Sequence, residues 1–338
     1  MNQQGWGLSV RQGKRTPVVI VLLITTWMPL AVLAVDYYVD PLGTDAPGYG
    51  TGPGANAWQT IGYAVNNVAN PTTATIVINV AAGTYTLSGS QITIDRGFTN
   101  LTIQGAGATS TIVQAATSEG IATSRVFYIN GADERVTLRG MTIRYGKVTS
   151  GSGGAGIYVY CSNLTIDFCR VEYNQVVISG GNGYGGGIYQ MTGTLVVSNS
   201  QVQYNNCSGS DSYGGGIYVD GATVTFTNTT INNNTVAAKF GGLAARYTTM
   251  YMTNCTVSHN QSAATSAGGM SLYFTSTVHL TNVTVANNGG NMGIYLWGVS
   301  GQAPVVYVKN CIFADNATRD IERDSYALIV NNGYNLVE

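Results

Sequence analysis

Charged residues are scarce in this chain of 338 residues, because Asp, Glu, Lys and Arg together make up 9% of it, against a usual share of about 25%. The chain has 15 Lys and Arg residues against 16 Asp and Glu residues, so its formal net charge is −1. A protein that binds nucleic acid needs clustered basic residues to contact the phosphates. The composition offers no such surface, and we expect no nucleic-acid partner.

Proline is also scarce, with 7 residues, whereas Gly reaches 44 and Tyr reaches 22. A disordered chain would be highly charged and poor in aromatic residues. A helical protein would be rich in Ala, Leu, Glu and Lys. The composition fits neither class and is typical of β structure throughout.

The first 34 residues have the pattern of a signal peptide. Three basic residues precede an apolar run over 17–34, and small residues near its end form a cleavage site after Ala34. An uncleaved anchor is the alternative, but the run is a little short for a span of about 20 residues and contains Pro29. We predict a signal peptide at 1–34, a secreted or cell-surface protein that starts at Val35, and no stable membrane span after cleavage.

Seven segments of the chain align with one another at steps of 28, 31, 29, 26, 28 and 28 residues. Alternating apolar residues indicate strands with one buried face, and a unit this short buries that face only against a neighbouring unit. The repeat therefore predicts an all-β parallel β-helix, or β-solenoid, in which each strand pairs with its copy in the next coil. The segments are VTLRGMTIRYG (136–146), LTIDFCRVEYN (164–174), LVVSNSQVQYN (195–205), VTFTNTTINNN (224–234), MYMTNCTVSHN (250–260), VHLTNVTVANN (278–288) and VYVKNCIFADN (306–316).

The N-terminal part reads as the start of the same solenoid. Apolar residues in AWQTIGYAVNNVAN (57–70) have helical spacing, so we predict an amphipathic capping helix over the first coil, as terminal repeats require. The predicted organisation is a cap with irregular coils over 35–135 and regular coils over 136–338, with about nine coils in all.

Two columns of asparagine follow from the alignment and predict ladders of stacked side-chain amides along the solenoid axis. Asn also tolerates the left-handed backbone of tight corners. N-glycosylation is the alternative, because several positions form sequons. The first column is Asn199, Asn228, Asn254, Asn282 and Asn310, and the second is Asn174, Asn205, Asn234, Asn260, Asn288 and Asn316.

The five cysteines fit neither a C-x-x-C pair nor a zinc site. Cys255 and Cys311 lie two coils apart, at about 9–10 Å, which exceeds the Cα separation of about 7 Å that a disulfide allows. With Cys169 they share a column of small inward residues, so we predict buried thiols. Cys161, near a corner, and Cys207, in a loop, are candidates for reactive thiols.

Glycines in GNGYGGGIYQ (181–190) match the G-x-G-x-x-G spacing of nucleotide-binding loops. Similar passages recur in GSGGAGIYV (151–159) and SYGGGIYVD (212–220), and each runs into a β-prone segment rather than a helix. The spacing is therefore interpreted as part of the repeat and not as a phosphate loop.

The segments YYVDPLGTD, AWQTIGYAVNNV and INVAAGTYTL resemble the N-terminal region of secreted bacterial right-handed parallel β-helix proteins. The N-C-T-V-x-x-N coils resemble repeats of pectate-lyase-like proteins and of large surface proteins. The tail NCIFADNATRD…NNGYNLVE resembles coils of choice-of-anchor β-helix proteins. The resemblance implies a right-handed solenoid, a fold that carries lyases, hydrolases, adhesins and structural proteins.

Enzymes of this fold resemble one another in gathering acids on adjacent coils, for Ca²⁺ binding or for glycoside hydrolysis. No carboxylate repeats in the columns of Asp167 or Glu172, and His259 and His279 are expected to be solvated strand residues. Asp320, Glu322 and Asp324 alternate with arginines and are expected to form a charged loop rather than a metal site. We therefore predict no catalytic residue, no metal and no cofactor, although acids on different loops can still converge.

Two aligned runs of tyrosine are the candidate binding residues, in one run Tyr158, Tyr189 and Tyr218 and in the other Tyr145, Tyr173 and Tyr204. They are expected to point outward and stack, either as ordinary cross-strand pairs or as a surface for glycans or a second subunit. The last strand, in YALIVNNGYNLVE, has no polar helix after it to cover its edge. The prediction is a non-enzymatic structural or adhesive surface protein that assembles end to end through this coil into a filament. The alternative is a protein that binds or degrades polysaccharide.

Overall fold

The computed structural model describes residues 34–338 except 70, 133, 161 and 264. The predicted signal peptide, apart from Ala34, and the thiol of Cys161 lie outside the described residues. One short helix, Ile61–Asn67, and one 3₁₀ turn, Gly54–Asn56, accompany strands that pair in parallel in four sheets.

The largest sheet has 19 strands and follows two sides of the coils. Its strands are Val35–Val39, Thr75–Val80, Gly83–Thr86, Asn100–Gly105, Thr111–Gln114, Arg135–Arg139, Thr142–Arg144, Asn163–Asp167, Arg170–Glu172, Thr194–Ser198, Gln201–Gln203, Thr223–Thr227, Thr230–Asn232, Thr249–Ser258, Thr277–Ala286, Val305–Lys309, Ile312–Ala314, Leu328–Asn331 and Leu336–Val337.

A second sheet contributes one strand to each of nine coils. Its strands are Ile92–Ile94, Phe127–Asn130, Ile157–Tyr160, Ile188–Met191, Ile217–Asp220, Leu243–Arg246, Ala267–Tyr273, Met292–Trp297 and Arg319–Arg323. Two small sheets lie in the connections between these faces. Their strands are Lys147–Val148, Gln175–Val177, Asn206–Ser208 and Thr235–Val236 in one, and Asn182–Tyr184 and Asp211–Tyr213 in the other.

Residues that align in the sequence repeat pair with one another in adjacent coils. Val136 pairs with Leu164, which pairs with Leu195, and the column continues through Val224, Met250, Val278 and Val306. The alternating residues point inward into one continuous apolar core along the axis. The parallel β-helix of about nine coils is thus confirmed.

A short helix lies where the capping helix was predicted. Thr60 begins it, with its hydroxyl accepting a hydrogen bond from the Tyr63 amide at 3.2 Å, as N-cap residues do. Ile61, Ala64 and Val65 are buried in the main core. Its role as a cap over the first coil stays a prediction.

The second asparagine column forms a buried ladder. Each side-chain amide donates to the carbonyl oxygen of the asparagine one coil further on, at 2.9 to 3.0 Å, from Asn174 to Asn316. Asn316 donates in the same way to Asp320 at 2.8 Å. The same oxygens also accept backbone amides, for instance that of Asn205 at Asn234. The ladder satisfies polar groups that the closed coil removes from water.

The first asparagine column forms an exposed ladder at a corner of the coil. Its amides link Asn228 to Asn199, Asn254 to Asn228 and Asn282 to Asn254 at 2.9 to 3.3 Å. All five members have φ between 50° and 55°, the left-handed region that Asn tolerates. In the buried column, by contrast, the residue before each asparagine carries the positive φ, as Tyr173 and His259 do. Asparagine thus serves the turn in one column and the hydrogen bonding in the other.

The recurring glycines face the buried ladder. A Cβ added at Gly216 would lie 2.8 Å from the Asn234 amide, and one at Gly242 would lie 2.6 Å from Cγ of Asn260. Gly156, Gly187, Gly269 and Gly293 stand in the same position in their coils. Glycine at this one position of each coil is therefore a packing requirement of the repeat, because a side chain here would displace the amides.

The charged segment near the C-terminus differs from its prediction. Arg319–Arg323 is a strand of the nine-stranded sheet, and Asp320 is 6% exposed because it accepts the hydrogen bonds of Asn316. Arg319 pairs with Glu322 at 2.6 Å. Asp320 ends the ladder, and Arg319–Arg323 forms a strand rather than a solvated loop.

The described cysteines are free and buried. Cys207 lies in the strand Asn206–Ser208 at 0% exposure, in a small core with Val176 and Val236, so the prediction that it lies in a loop was wrong. Burial raises the pKa of Cys169 and of Cys207 to about 12. A thiol is reactive as its thiolate.

We therefore expect Cys169, Cys207, Cys255 and Cys311 to resist alkylation by iodoacetamide in the native protein between pH 7 and 10, because they are buried and protonated. Peptide mass spectrometry after labelling checks this, with labelling in denaturant as the control. Rapid native labelling of Cys207 would contradict the burial.

No helix in the described part of the chain is long and apolar enough to cross a membrane. No group of three or more His, Cys, Asp or Glu residues positioned to hold a metal ion occurs among the described residues.

Candidate binding groove

The first tyrosine run lies on the outer face of the nine-stranded sheet, in the predicted register. Tyr158 pairs with Tyr189, and Tyr189 with Tyr218. The column begins one coil earlier, with Tyr128 stacked on Tyr158 at 5.4 Å between ring centroids. Beyond Tyr218 it continues through Ala244, Ser271 and Tyr295.

This column differs from the open surface expected from the sequence. Tyr189 and Tyr218 are only 4% and 1% exposed. Rings from the glycine-rich connections pack over them, among them Tyr184, at 4.7 Å from Tyr218, and Tyr213, at 6.1 Å. The two tyrosines form part of a second apolar cluster outside the solenoid core, because the connections fold back onto the sheet.

The second tyrosine run lies at a corner of the large sheet. Tyr145, Tyr173 and Tyr204 all have positive φ, between 54° and 60°. Tyr173 and Tyr204 stack at 5.1 Å, and Tyr204 is 43% exposed. This run is a short exposed stack, and its binding role stays a prediction.

A groove of about 590 Å³ opens where the first column changes from tyrosine to small residues. Tyr218 and Tyr295 of this column line the groove, whereas the small residues between them, Ala244 and Ser271, are fully buried. Half of the residues that line the groove are aromatic: Tyr184, Tyr213, Tyr218, Phe240, Tyr273, Phe274, Tyr295 and Trp297.

Each wall of the groove comes from a different element. Tyr184 and Tyr213 stack at 5.5 Å in the two-stranded sheet, and Phe240 follows them in the next coil at 5.6 Å from Tyr213. On the other side, Phe274 meets Trp297 edge to face at 4.9 Å. Trp297 is 36% exposed, so it presents ring surface to solvent at the mouth of the groove.

Ion pairs fix the charged residues of the groove. Arg246 contacts Asp220 at 2.6 Å from the next coil, and this hydrogen bond raises the pKa of the guanidinium. Lys239 contacts Asp211 at 2.8 Å and lies 5.7 Å from the ring centroid of Tyr213. The hydrogen bond to Asp211 raises the pKa of Lys239. Both cations are charged at neutral pH and already partnered.

Several polar atoms beneath the rings have no hydrogen-bond partner among the described residues: Ser271 Oγ, Tyr273 OH and Arg246 Nε. Burial raises the pKa of both Tyr218 and Tyr273, and each phenol also shifts the pKa of the other. Unpaired buried polar groups are costly.

The sequence pattern pointed to only part of this groove. It placed Tyr218 in an aligned run, whereas Phe240, Phe274 and Trp297 belong to no aligned run. Their signal was indirect: the tyrosine column is interrupted at Ala244 and Ser271, and aromatic residues occur nearby in a connection, at Phe240, and at strand ends, at Phe274 and Trp297. Sequence alone does not place connections of unequal length over the sheet.

The histidines lie elsewhere. His279 stacks between Tyr251 and Tyr307 on the outside of the large sheet, at 5.0 and 4.6 Å. His259 has a positive φ of 56° at a corner. The expectation that His279 points outward agrees with this placement.

Residues 192–337 match the family model described as "Right handed beta helix region". No curated protein matches the sequence. Among solved structures, pectin methylesterase from carrot is similar at 14% identity and a TM-score of 0.45, over 87% of this chain and 88% of that one. Pectin methylesterase PemA from Erwinia chrysanthemi is similar at 15% identity and a TM-score of 0.45, over 86% and 92%. Pectate lyase Pel9A is similar at 15% identity and a TM-score of 0.44, over 88% and 80%. Likeness at this level carries no information on activity.

Proposed function

We propose that this right-handed parallel β-helix repeat protein binds carbohydrate through the aromatic groove and acts as an adhesive protein outside the cell. The observation that carries the proposal is the groove of about 590 Å³ in which half of the lining residues are aromatic. Sugar rings present apolar C–H faces and a rim of hydroxyls, and aromatic faces with a few placed polar groups fit that chemistry.

The rigidity of the groove supports binding. The lining residue Tyr273 belongs to the strand Ala267–Tyr273, which is paired in parallel on both sides. Tyr273 is 5% exposed and is held by ring contacts with Phe240 and Phe274. A site whose side chains are already ordered loses little conformational entropy when a ligand binds.

We expect replacement of Trp297 by Ala to weaken binding about 30-fold. This ratio corresponds to a loss of about 2 kcal/mol, which is typical of an aromatic residue at a binding hot spot. Trp297 supplies the largest partly exposed ring at the mouth of the groove. Affinity electrophoresis in gels containing soluble polysaccharides, neutral and acidic, identifies a ligand, and titration calorimetry measures its affinity.

Tyr251→Ala is the matched control, because Tyr251 is an aromatic residue, 44% exposed, on the large sheet. We expect it to bind like the wild type. Loss of binding in Tyr204→Ala with full binding in Trp297→Ala would move the site to the second tyrosine run. Absence of binding to every polysaccharide would overturn the proposal. Release of unsaturated or reducing ends would assign a degrading function instead.

End-to-end assembly through the last coil is a separate proposal of ours. Leu328, Leu336 and Val337 there are each more than half exposed, at 52%, 52% and 53%, and exposed strands with apolar side chains favour pairing with another chain. Light scattering over a concentration series tests this, and a monomer at every concentration would contradict it.

A further inference from the structure

The charged residues that line the groove are all paired with residues of opposite charge. Lys239 and Arg246 are the cations that line it, and Glu322 is the lining carboxylate. Lys239 pairs with Asp211 at 2.8 Å, Arg246 with Asp220 at 2.6 Å, and Glu322 with Arg319 at 2.6 Å. Three positive and three negative groups therefore cancel, and every lining charge has a partner of opposite sign.

From this we infer that the groove takes a neutral polysaccharide, with free hydroxyls and no carboxylate, rather than a polyuronate. The inference rests on the proposed carbohydrate-binding function and names the ligand class of the same site.

An acidic sugar gains little in this groove. Its carboxylate would reach Lys239 or Arg246 only by displacing Asp211 or Asp220, which would then lose its own partner. Exchange of one carboxylate for another yields no net ion pair, and desolvating the ligand charge still costs free energy. The side chain of Asp220 is only 15% exposed, so its displacement would leave a largely buried carboxylate unpaired.

A neutral sugar, by contrast, matches the uncharged polar residues of the groove. Asn182, Thr265 and Asn291 are among the residues that line it. Amide and hydroxyl groups both donate and accept hydrogen bonds, so they suit sugar hydroxyls without a change of charge. The aromatic walls supply the apolar contact.

The test compares dextran, laminarin and galactomannan with polygalacturonate and alginate, at low and at high salt. We expect binding to at least one neutral polymer, with an affinity that salt leaves unchanged, because no net charge is involved. We expect binding to the polyuronates to be at least about tenfold weaker, a difference of about 1.4 kcal/mol.

The variant Asp211→Asn tests whether ion pairing, rather than the shape of the groove, weakens the binding of acidic polymers. Asp211 is itself outside the groove lining, and its side chain is 46% exposed, so the substitution is expected to preserve the fold. It leaves Lys239 without its carboxylate, and we expect affinity for polygalacturonate to rise about threefold at low salt while affinity for the neutral polymer is unchanged.

The outcomes distinguish the two proposals. If polyuronates bind the wild type as tightly as neutral polymers, and Trp297→Ala abolishes that binding, the carbohydrate site stands and the inference of a neutral ligand falls. If Asp211→Asn does not raise polyuronate affinity, pairing is not what excludes the acid, and the inference also falls. If no polymer binds at all, the proposed function itself fails.

Discussion

Asn234→Ala is expected to lower the free energy of unfolding by about 3 kcal/mol. The substitution leaves buried polar groups on both sides of the ladder without hydrogen bonds. The Asn234 oxygen accepts the backbone amide of Asn205 at 3.0 Å, and its side-chain nitrogen donates to the Val202 carbonyl at 2.9 Å. Asn234 is 0% exposed, so water does not replace either bond in the folded state. Urea unfolding followed by circular dichroism measures the change.

The exposed ladder provides the matched control. Asn228→Gly removes an amide of the same chemistry but keeps a residue that accepts the φ of 50° at that corner. Its hydrogen bond to Asn199 is exposed, and we expect a loss below about 1 kcal/mol. Equal losses in the two variants would show that the buried ladder contributes no more than the exposed one.

The second large effect is expected at Gly242, where replacement by Ala should destabilise the fold by about 3 kcal/mol, as overpacking of a rigid interior does. The added Cβ would lie 2.6 Å from Cγ of Asn260 and 2.9 Å from the carbonyl oxygen of Gly269. The first group is held in the ladder and the second in the next strand, so neither moves freely. Thermal and urea unfolding report the loss.

Gly62→Ala is the control for this substitution, because Gly62 lies in the helix Ile61–Asn67 with open space where its Cβ would be. Alanine is favoured over glycine in helices by about 1 kcal/mol, so stability should be unchanged or higher. In an Asn260→Ala background, Gly242→Ala should cost less than in the wild type, because one of its two clashes is gone. Full additivity of the two substitutions would contradict contact between Gly242 and the ladder.

The solenoid itself could be predicted closely from sequence, because it is a local pattern repeated at short range. The alternation in VTFTNTTINNN already separates inward from outward residues, and the step between copies fixes which strands pair. Val224 lies between Leu195 and Met250, as the alignment predicts. The inward column that holds Cys169, Cys255 and Cys311 is buried, also as predicted.

The groove was less predictable, because it depends on connections whose length varies from coil to coil. Tyr184 and Tyr213 were not assigned by the repeat, yet they cover Tyr189 and Tyr218 and turn a predicted surface into an interior. Cys207 was misplaced for the same reason, since its connection adds a short strand and a small core of its own.

The sequence by itself therefore determined the architecture, the register and the two asparagine columns, because in a parallel solenoid each residue meets its own copy one coil away. Only the tertiary structure decided which asparagines are buried and which tyrosines are covered. It alone also showed that Tyr218, Tyr295 and Trp297 line one groove. These features depend on how connections of unequal length fold over the sheet, and that packing joins residues that no periodicity relates.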